Sequence, residues 1–255
     1  MHTKLDEAAW ASPWRSRSVA ERAALAFSLA CWGLLAPSWW SGLGVLAVVA
    51  ATSLGAARVP PGIYARSLAA PWTFIGLGAI AIAVGLGRAP APLAALGPFY
   101  VTGESLDSAA LVVARAFAVT AAVLLLAATC PMSELLSGLR RLGVPAALVD
   151  IAASVYRMIF LLLERASAIR HAQAARLGYV GPRRAFASLG QLLATVFLSA
   201  WDRARRLEAG LEGRGGTGEL VALKPPPPVS ARFIAGIFAA NALAAALVVL
   251  GWWHR

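Results

Sequence analysis

The chain has 255 residues, of which 59% are hydrophobic types and only 14% are charged, with a mean hydropathy of +0.70. Soluble domains carry about 25% charged residues, so this composition excludes a disordered chain and argues against an ordinary soluble domain. Cys31 and Cys130 are the two cysteines, which excludes a disulfide scaffold and a cysteine zinc cluster. What remains is an all-α, polytopic helical membrane protein with a polar portion.

The first 22 residues are mixed in charge (Lys4, Asp6, Glu7, Arg15, Arg17) and lack a cleavage site after an apolar stretch, so no signal peptide is expected. Hydrophobic runs follow. A membrane-spanning helix needs about 20 apolar residues, because the hydrocarbon core is about 30 Å thick and a helix rises 1.5 Å per residue. The uncharged run Ala23–Ala57 is too long for one span. Pro37-Ser38-Trp39-Trp40-Ser41-Gly42 breaks it, since Pro and Gly end helices and Trp favours the headgroup layer. Two spans, Ala23–Trp40 and Leu43–Ala57, are expected, with one span plus a re-entrant piece as the alternative. Ser67–Gly87 and Phe233–Trp253 are uncharged and read as single spans. Ser108–Cys130 is another, with Arg115 inside it. An intramembrane charge points to function; Arg115 could pair with Asp107 or Glu104, or snorkel to the interface.

The charge sits elsewhere. Residues 130–232 hold 14 of the 23 Lys and Arg and 7 of the 12 Asp and Glu, within a net charge of +11 for the chain. The domains expected are thus 1–129 (about four transmembrane helices), 130–232 (a polar segment) and 233–255 (a last span). With the N-terminus inside, residues 1–22, 58–66 and 130–232 are cytoplasmic and carry 20 basic residues. Only Arg88 and Arg255 remain outside, and this bias orients the chain.

Within the polar segment, a short helix ends near Arg140-Arg141-Leu142-Gly143, and Pro145 opens a longer one. Leu148, Ile151, Ala152, Val155, Ile159, Leu162, Leu163, Ala166 and Ile169 follow steps of 3 and 4, the pattern of one buried stripe. This helix is expected to reach about Leu177, with Gly178 as its C-cap. After a turn at Gly181-Pro182, a second long helix carries Leu189, Leu193, Val196, Ala200, Ala204, Leu207 and Leu211 and ends at Gly213-Arg214-Gly215-Gly216. Pro225–Pro228 then form an extended strut into the last span. Each long amphipathic helix ends in an arginine among small residues: Ala175-Arg176-Leu177-Gly178 and Gly213-Arg214-Gly215. An arginine presents a planar fork of five donors, and small neighbours let a partner approach. The plain alternative is that each Arg complements a helix dipole and each Gly caps.

Other chemistry finds little support. Gly210–Thr217 is a near miss to a phosphate loop, with Gly216 where the Lys belongs and no strand before it. His2, His171 and His254 are scattered, so no metal site and no cofactor are expected. Asp202 with Arg206 and Arg205 with Glu208 have the spacing of surface helix pairs, not of a catalytic set.

The residues resemble a known family. Ser12-Pro13-Trp14-Arg15-Ser16-Arg17-Ser18-Val19-Ala20-Glu21-Arg22, the stretch Leu142-Gly143-Val144-Pro145 through Tyr156-Arg157-Met158 to Glu164, and the two arginine ends together resemble the transmembrane T component of energy-coupling factor (ECF) transporters, cobalt-type CbiQ branch. The resemblance covers nearly the whole chain. It departs in the family's paired Ala-Arg-Gly signatures: the first has its Gly displaced to Gly178, and the second has Gly213 in place of Ala. The resemblance implies a non-enzymatic inner-membrane subunit of a cobalt importer that serves cobalamin biosynthesis. Arg176 and Arg214, flanked by Ala175, Gly178, Gly213 and Gly215, would dock in grooves on two cytosolic ABC ATPases. The coupling helices would pass motion to a membrane substrate-binding S component, CbiM-like with a small CbiN-like subunit. A T subunit for nickel or another ECF substrate is the near alternative. A membrane-embedded lipid-modifying enzyme and a plain scaffold are rivals from other classes.

Overall fold

The computed structural model describes residues 4–86, 94–96, 99–213 and 230–253. They form two compact units. One comprises the described residues of Lys4–Pro131 and Pro226–Arg255, the other those of Met132–Pro225.

The first unit begins with α1 (Lys4–Ala11), a 3-10 turn (Pro13–Ser16) and α2 (Val19–Leu35). Helix α2 starts where it does because Ser18 and Glu21 form a capping box, and it stops ahead of Pro37. Ser38 and Ser41 make a second capping box that opens α3 (Trp39–Ala51), which continues through a π-helical turn, Thr52–Ala56. The hydroxyls of Thr52 and Ser53 both donate to the Val49 carbonyl at 2.8 Å. That competition for one acceptor loosens the regular ladder into the wider turn. The run 23–57 thus divides into two helices. Trp40 belongs to the second rather than the first, and the first begins earlier, at Val19.

The expected single span Ser67–Gly87 is corrected. The chain forms α4 (Pro61–Ala69) and α5 (Trp72–Ala83), bent by 42° at the break between them. Pro71 lies in that break, where it lacks an N–H and its ring crowds the preceding turn. Three short strands follow, β1 (Gly85–Leu86), β2 (Ala94–Leu96) and β3 (Phe99–Val101), with β3 antiparallel to both others. This small ribbon was not legible from the alternation of the sequence. Helix α6 (Gly103–Thr129) starts five residues before the expected Ser108, because Thr102 and Ser105 cap it reciprocally. Helix α10 (Ala231–Trp253) matches the last expected span to within two residues.

The core of this unit lies among α2, α3, α6 and α10, where Leu29, Val45, Val49, Ala118, Ala121, Leu125 and Ala244 are sealed from solvent. Helices α2 and α3 press closely on α6. A Cβ on Gly33 would stand 3.0 Å from Ala118 Cβ, and one on Gly42 would stand 2.9 Å from Ala114 Cβ. Close approach of this kind is how helices associate where lipid offers no hydrophobic contrast. Trp32 Nε1 adds a bond to Asn241 Oδ1 on α10 at 3.1 Å.

Arg115 finds a partner that the sequence does not point to: its Nε and Nη2 donate to the Ala36 carbonyl at 2.9 and 2.7 Å, a backbone acceptor in place of Asp107 or Glu104. The last carbonyls of a helix have no partner within the helix and carry the negative end of its dipole, and Ala36 is the C-cap of α2. The reverse contact also exists. Arg22, on α2, donates from Nη1 to the carbonyl of Thr129, the last residue of α6. Each of these neighbouring helices therefore supplies an arginine to the C-terminal end of the other.

The second unit holds α7 (Met132–Arg141), α8 (Ala146–Ala175) and α9 (Pro182–Glu212). Among the described residues five helical segments are long and apolar enough to cross a membrane: Trp39–Ala56, α6, α8, α9 and α10; the bent α4–α5 pair is apolar and long enough taken together, as a broken span or a re-entrant loop. The chain is a multi-pass membrane protein.

Candidate functional site

The candidate site is the corner between α8 and α9, where the first arginine end lies. Two neighbouring turns solve the same geometric problem with different residues. At the end of α7, Val144 N–H bonds to Leu139 O and Gly143 N–H to Arg140 O, both at 3.4 Å, with Gly143 at φ +91°. This is a Schellman cap with glycine in the left-handed position. At the end of α8, Gly178 N–H bonds to Gln173 O at 2.9 Å and Leu177 N–H to Ala174 O at 3.0 Å. The left-handed residue here is Leu177, at φ +58°. The expected C-cap role of Gly178 is corrected by one position. The strained site falls on Leu177, and an L-residue with a side chain costs about 1–2 kcal/mol there.

Gly178 is needed for another reason. A Cβ on it would lie 2.7 Å from Ser188 Oγ and 2.9 Å from the Gln173 carbonyl oxygen. Ser188, buried on α9, donates to the Gly178 carbonyl at 2.8 Å. Gln173 Nε2 donates to Ser188 O at 2.9 Å, and Tyr179 Oη donates to Gln173 Oε1 at 2.8 Å. Gly181, at φ +82°, then turns the chain into Pro182, which occupies the first position of α9. Sequence reasoning missed Gln173, Tyr179 and Ser188. Polar residues with ordinary helical spacing carry no signal that they meet across a turn.

This clasp holds Arg176 at the tip. Ala175, Arg176 and Leu177 are exposed, while Gly178 is half-buried against Ser188. Among the described residues no side chain pairs with the Arg176 guanidinium. On α9, Gly213 follows the last helical turn with its N–H on the Ala209 carbonyl at 3.0 Å. Arg214 and Gly215 lie outside the described residues, as do Gly216, the Pro225–Pro228 strut, His2, His254 and Arg88. The near miss to a phosphate loop is helical through Glu212.

The apolar stripe expected to be buried along α8 is in large part exposed. Leu148, Ile151, Val155, Ile159 and Leu163 are each about half exposed, and on α9 Phe186, Leu193, Phe197 and Trp201 are exposed by 58% or more. Only Val149 on α8 and Ser188 on α9 are buried. Ala152, Leu162, Ala166 and Ile169 of the same stripe are half-buried, so within the described residues of this unit the face is only partly covered. Contiguous exposed apolar faces of this size mark contacts with partners or lipid. A cleft of about 830 Å³ lies in the corner, lined by Leu163, Ala166, Ala174, Tyr179, Leu189 and Leu192. His171 beside it is exposed, and its Nδ1 donates to the Ser167 carbonyl at 2.8 Å, leaving it a helix-surface histidine. Among the described residues no three His, Cys, Asp or Glu side chains come together as a metal site. Asp202, Arg205, Arg206 and Glu208 are all exposed. At such exposed positions a pair of solvated charges contributes little.

The profile of the CbiQ cobalt transport protein family matches residues 11–223. The cobalt transport protein CbiQ of Rhodobacter capsulatus is 37% identical over 227 residues, covering 89% of each chain. The CbiQ of Salmonella typhimurium is 27% identical over 82% of this chain and 95% of its own. A putative fused cobalt transport protein CbiMQ of Methanocorpusculum labreanum is 30% identical over 82% of this chain, which aligns with 36% of its length. A helical membrane chain with these two long helices, matched along most of its length, belongs to the CbiQ cobalt transport protein family.

Proposed function

We propose that this chain is the T component of an energy-coupling factor importer for cobalt ions. It links ATP hydrolysis by two cytosolic ABC ATPases to a membrane partner that binds the ion. The observation that carries the reading is Arg176: an exposed, unpaired guanidinium among the described residues, held at the end of a 30-residue helix by a clasped corner, beside apolar side chains that the described residues leave exposed. A permanent charge with five donors at a fixed tip suits a groove of carbonyls or carboxylates on a partner. Arg214, with Gly213 and Gly215, is its counterpart at the end of α9. The name of the fused relative, CbiMQ, supports a CbiM-like protein as the membrane partner. The uncovered stripe on α8 is then a surface for that partner.

Helices α8 and α9 are long and apolar enough to cross a membrane, yet their charges favour the cytoplasmic side. Helix α9 carries Arg183, Arg184, Asp202, Arg203, Arg205, Arg206, Glu208 and Glu212, and α8 carries Asp150, Arg157, Glu164, Arg165 and Arg170. Each such charge near the bilayer centre costs about 2.5–3.5 kcal/mol. The spans are then α2, α3, the α4–α5 pair, α6 and α10, with the N-terminus inside.

The test is co-purification and transport. The chain is expressed with its two ATPases and a CbiM-like partner, and ATP-dependent uptake of radiolabelled cobalt is measured in proteoliposomes. Arg176→Ala and Arg214→Ala are each expected to leave membrane insertion intact and to weaken retention of the ATPases. Unchanged retention in the double variant would refute the docking role.

A further inference from the structure

The first turn of α2 holds two adjacent buried charges that the docking site does not use. Arg22 is 1% exposed and Glu21 7%. A buried charge is costly unless its donors or acceptors are met, and here both sets are engaged. Arg22 donates from Nη1 to Thr129 O and from Nη2 to Arg17 O at 3.0 Å. Glu21 accepts the Ser18 N–H on Oε2 at 3.2 Å and the Ser230 N–H on Oε1 at 2.9 Å.

The two distant partners are not arbitrary points of the chain. Thr129 closes α6, three residues before the second unit begins at Met132. Ser230 immediately precedes α10, where the chain has returned from that unit. All of these contacts lie within the first unit. The covalent connections into and out of the second unit are therefore both fastened to consecutive residues of one helical turn. Around them, Trp14 packs edge-on against Phe233 at 4.9 Å, and Thr129 and Pro131 are fully buried.

We propose that Glu21 and Arg22 are positioning residues for transport: a common mount that makes a displacement of the second unit move the transmembrane helices, instead of being absorbed in the two connections. This rests on the coupling reading above. A chain passes force through its covalent links only if the links are stiff where they meet the body. A hydrogen bond to a charged group, buried from water, is among the stronger single restraints available.

The experiment measures ATP hydrolysis and cobalt uptake together in the reconstituted complex. Glu21→Gln removes one of the two carboxylate acceptors. Ser230→Pro removes the partner N–H, exchanging the serine side chain for a ring, and leaves the residues of α2 unchanged. Both variants are expected to assemble with the ATPases and to hydrolyse ATP near the wild-type rate. The cobalt imported per ATP is expected to fall about tenfold, the scale of losing one hydrogen bond to a charged acceptor. Two results would overturn the inference: uptake per ATP unchanged in both variants, or hydrolysis and uptake falling in parallel with loss of assembled complex. Wild-type complex that hydrolyses ATP without importing cobalt would instead overturn the coupling reading on which the inference rests.

Discussion

Arg115 and Ala36 are joined by two hydrogen bonds to one oxygen, Nε at 2.9 Å and Nη2 at 2.7 Å. The guanidinium supplies what the C-terminal end of α2 lacks, a donor and a positive charge, at a partly buried site. Hydrogen bonds to charged groups contribute roughly 1.5–3 kcal/mol. Arg115→Met keeps the length of the side chain but neither donor. It is expected to lower the thermal midpoint of the detergent-solubilised chain, with Arg115→Lys intermediate because one ammonium cannot reproduce the fork. A melting curve for Arg115→Met that overlays the wild type would dismiss the capping role.

Gly178→Ala tests the clasp at the tip of α8. The new methyl meets Ser188 Oγ at 2.7 Å and a backbone carbonyl at 2.9 Å. The hydroxyl can rotate but the carbonyl cannot move without unwinding the cap, so a cost of roughly 1–3 kcal/mol is expected. Hydrogen exchange should quicken at Leu177–Gly181 and at the start of α9, and little elsewhere. Unchanged protection there would show that the corner tolerates the methyl.

Leu177→Gly probes the opposite sign. Leu177 holds a left-handed conformation with its side chain 63% exposed, so it gains little packing in return. Glycine removes a strain of about 1 kcal/mol, partly offset by the freedom glycine gains in the unfolded chain. The change also restores an Ala-Arg-Gly tip. The corner is expected to exchange more slowly, with ATPase retention at least as strong as wild type. Faster exchange would mean that Leu177 is anchored by contacts other than its backbone.

Small residues between the spans set a tolerance of a few tenths of an ångström. Gly42→Ala places a methyl 2.9 Å from Ala114 Cβ, and Gly33→Ala places one 3.0 Å from Ala118 Cβ. Pushing α2 or α3 off α6 is expected to cost roughly 1–3 kcal/mol, read as a lowered thermal midpoint. Ala114→Gly should recover part of the loss in the Gly42→Ala background, and its failure to do so would place the strain elsewhere.

The open stripe on α8 makes a different prediction. Ile151→Asn together with Ile159→Asn changes two side chains that the chain itself leaves about half exposed. Stability of the isolated chain is expected to shift by no more than about 0.5 kcal/mol per site, while retention of a CbiM-like partner drops. A large fall in the melting point of the isolated chain would show that the stripe packs internally.

Much of the architecture was legible because the physics behind it is local or periodic. The apolar runs gave α6 and α10, since a bilayer imposes their length. The 3-and-4 steps gave α8 and α9, since a helix imposes the period. Gly181-Pro182 and Gly213 marked the ends of α9, since their backbone preferences are intrinsic. The same reasoning overreached where a local break was short. Pro71 sits inside an uncharged run that reads as one span, and the chain bends there. It also misjudged which residue would carry the left-handed cap of α8, because hydrogen-bond register chose Leu177 over the neighbouring glycine.

What only the tertiary structure decided are the partners of polar groups far apart in sequence. Arg22 meeting Thr129, Glu21 meeting Ser230, Arg115 meeting Ala36 and Gln173 meeting Ser188 leave no trace in composition or spacing. In an apolar surrounding each buried charge must find a helix end or a backbone group to satisfy it, but many such ends exist. Which one is reached depends on how the helices pack. Sequence fixes that α8 and α9 each have an apolar face; tertiary structure alone reveals that the described residues of their unit leave much of it exposed, because coverage is a property of the neighbours and not of the period.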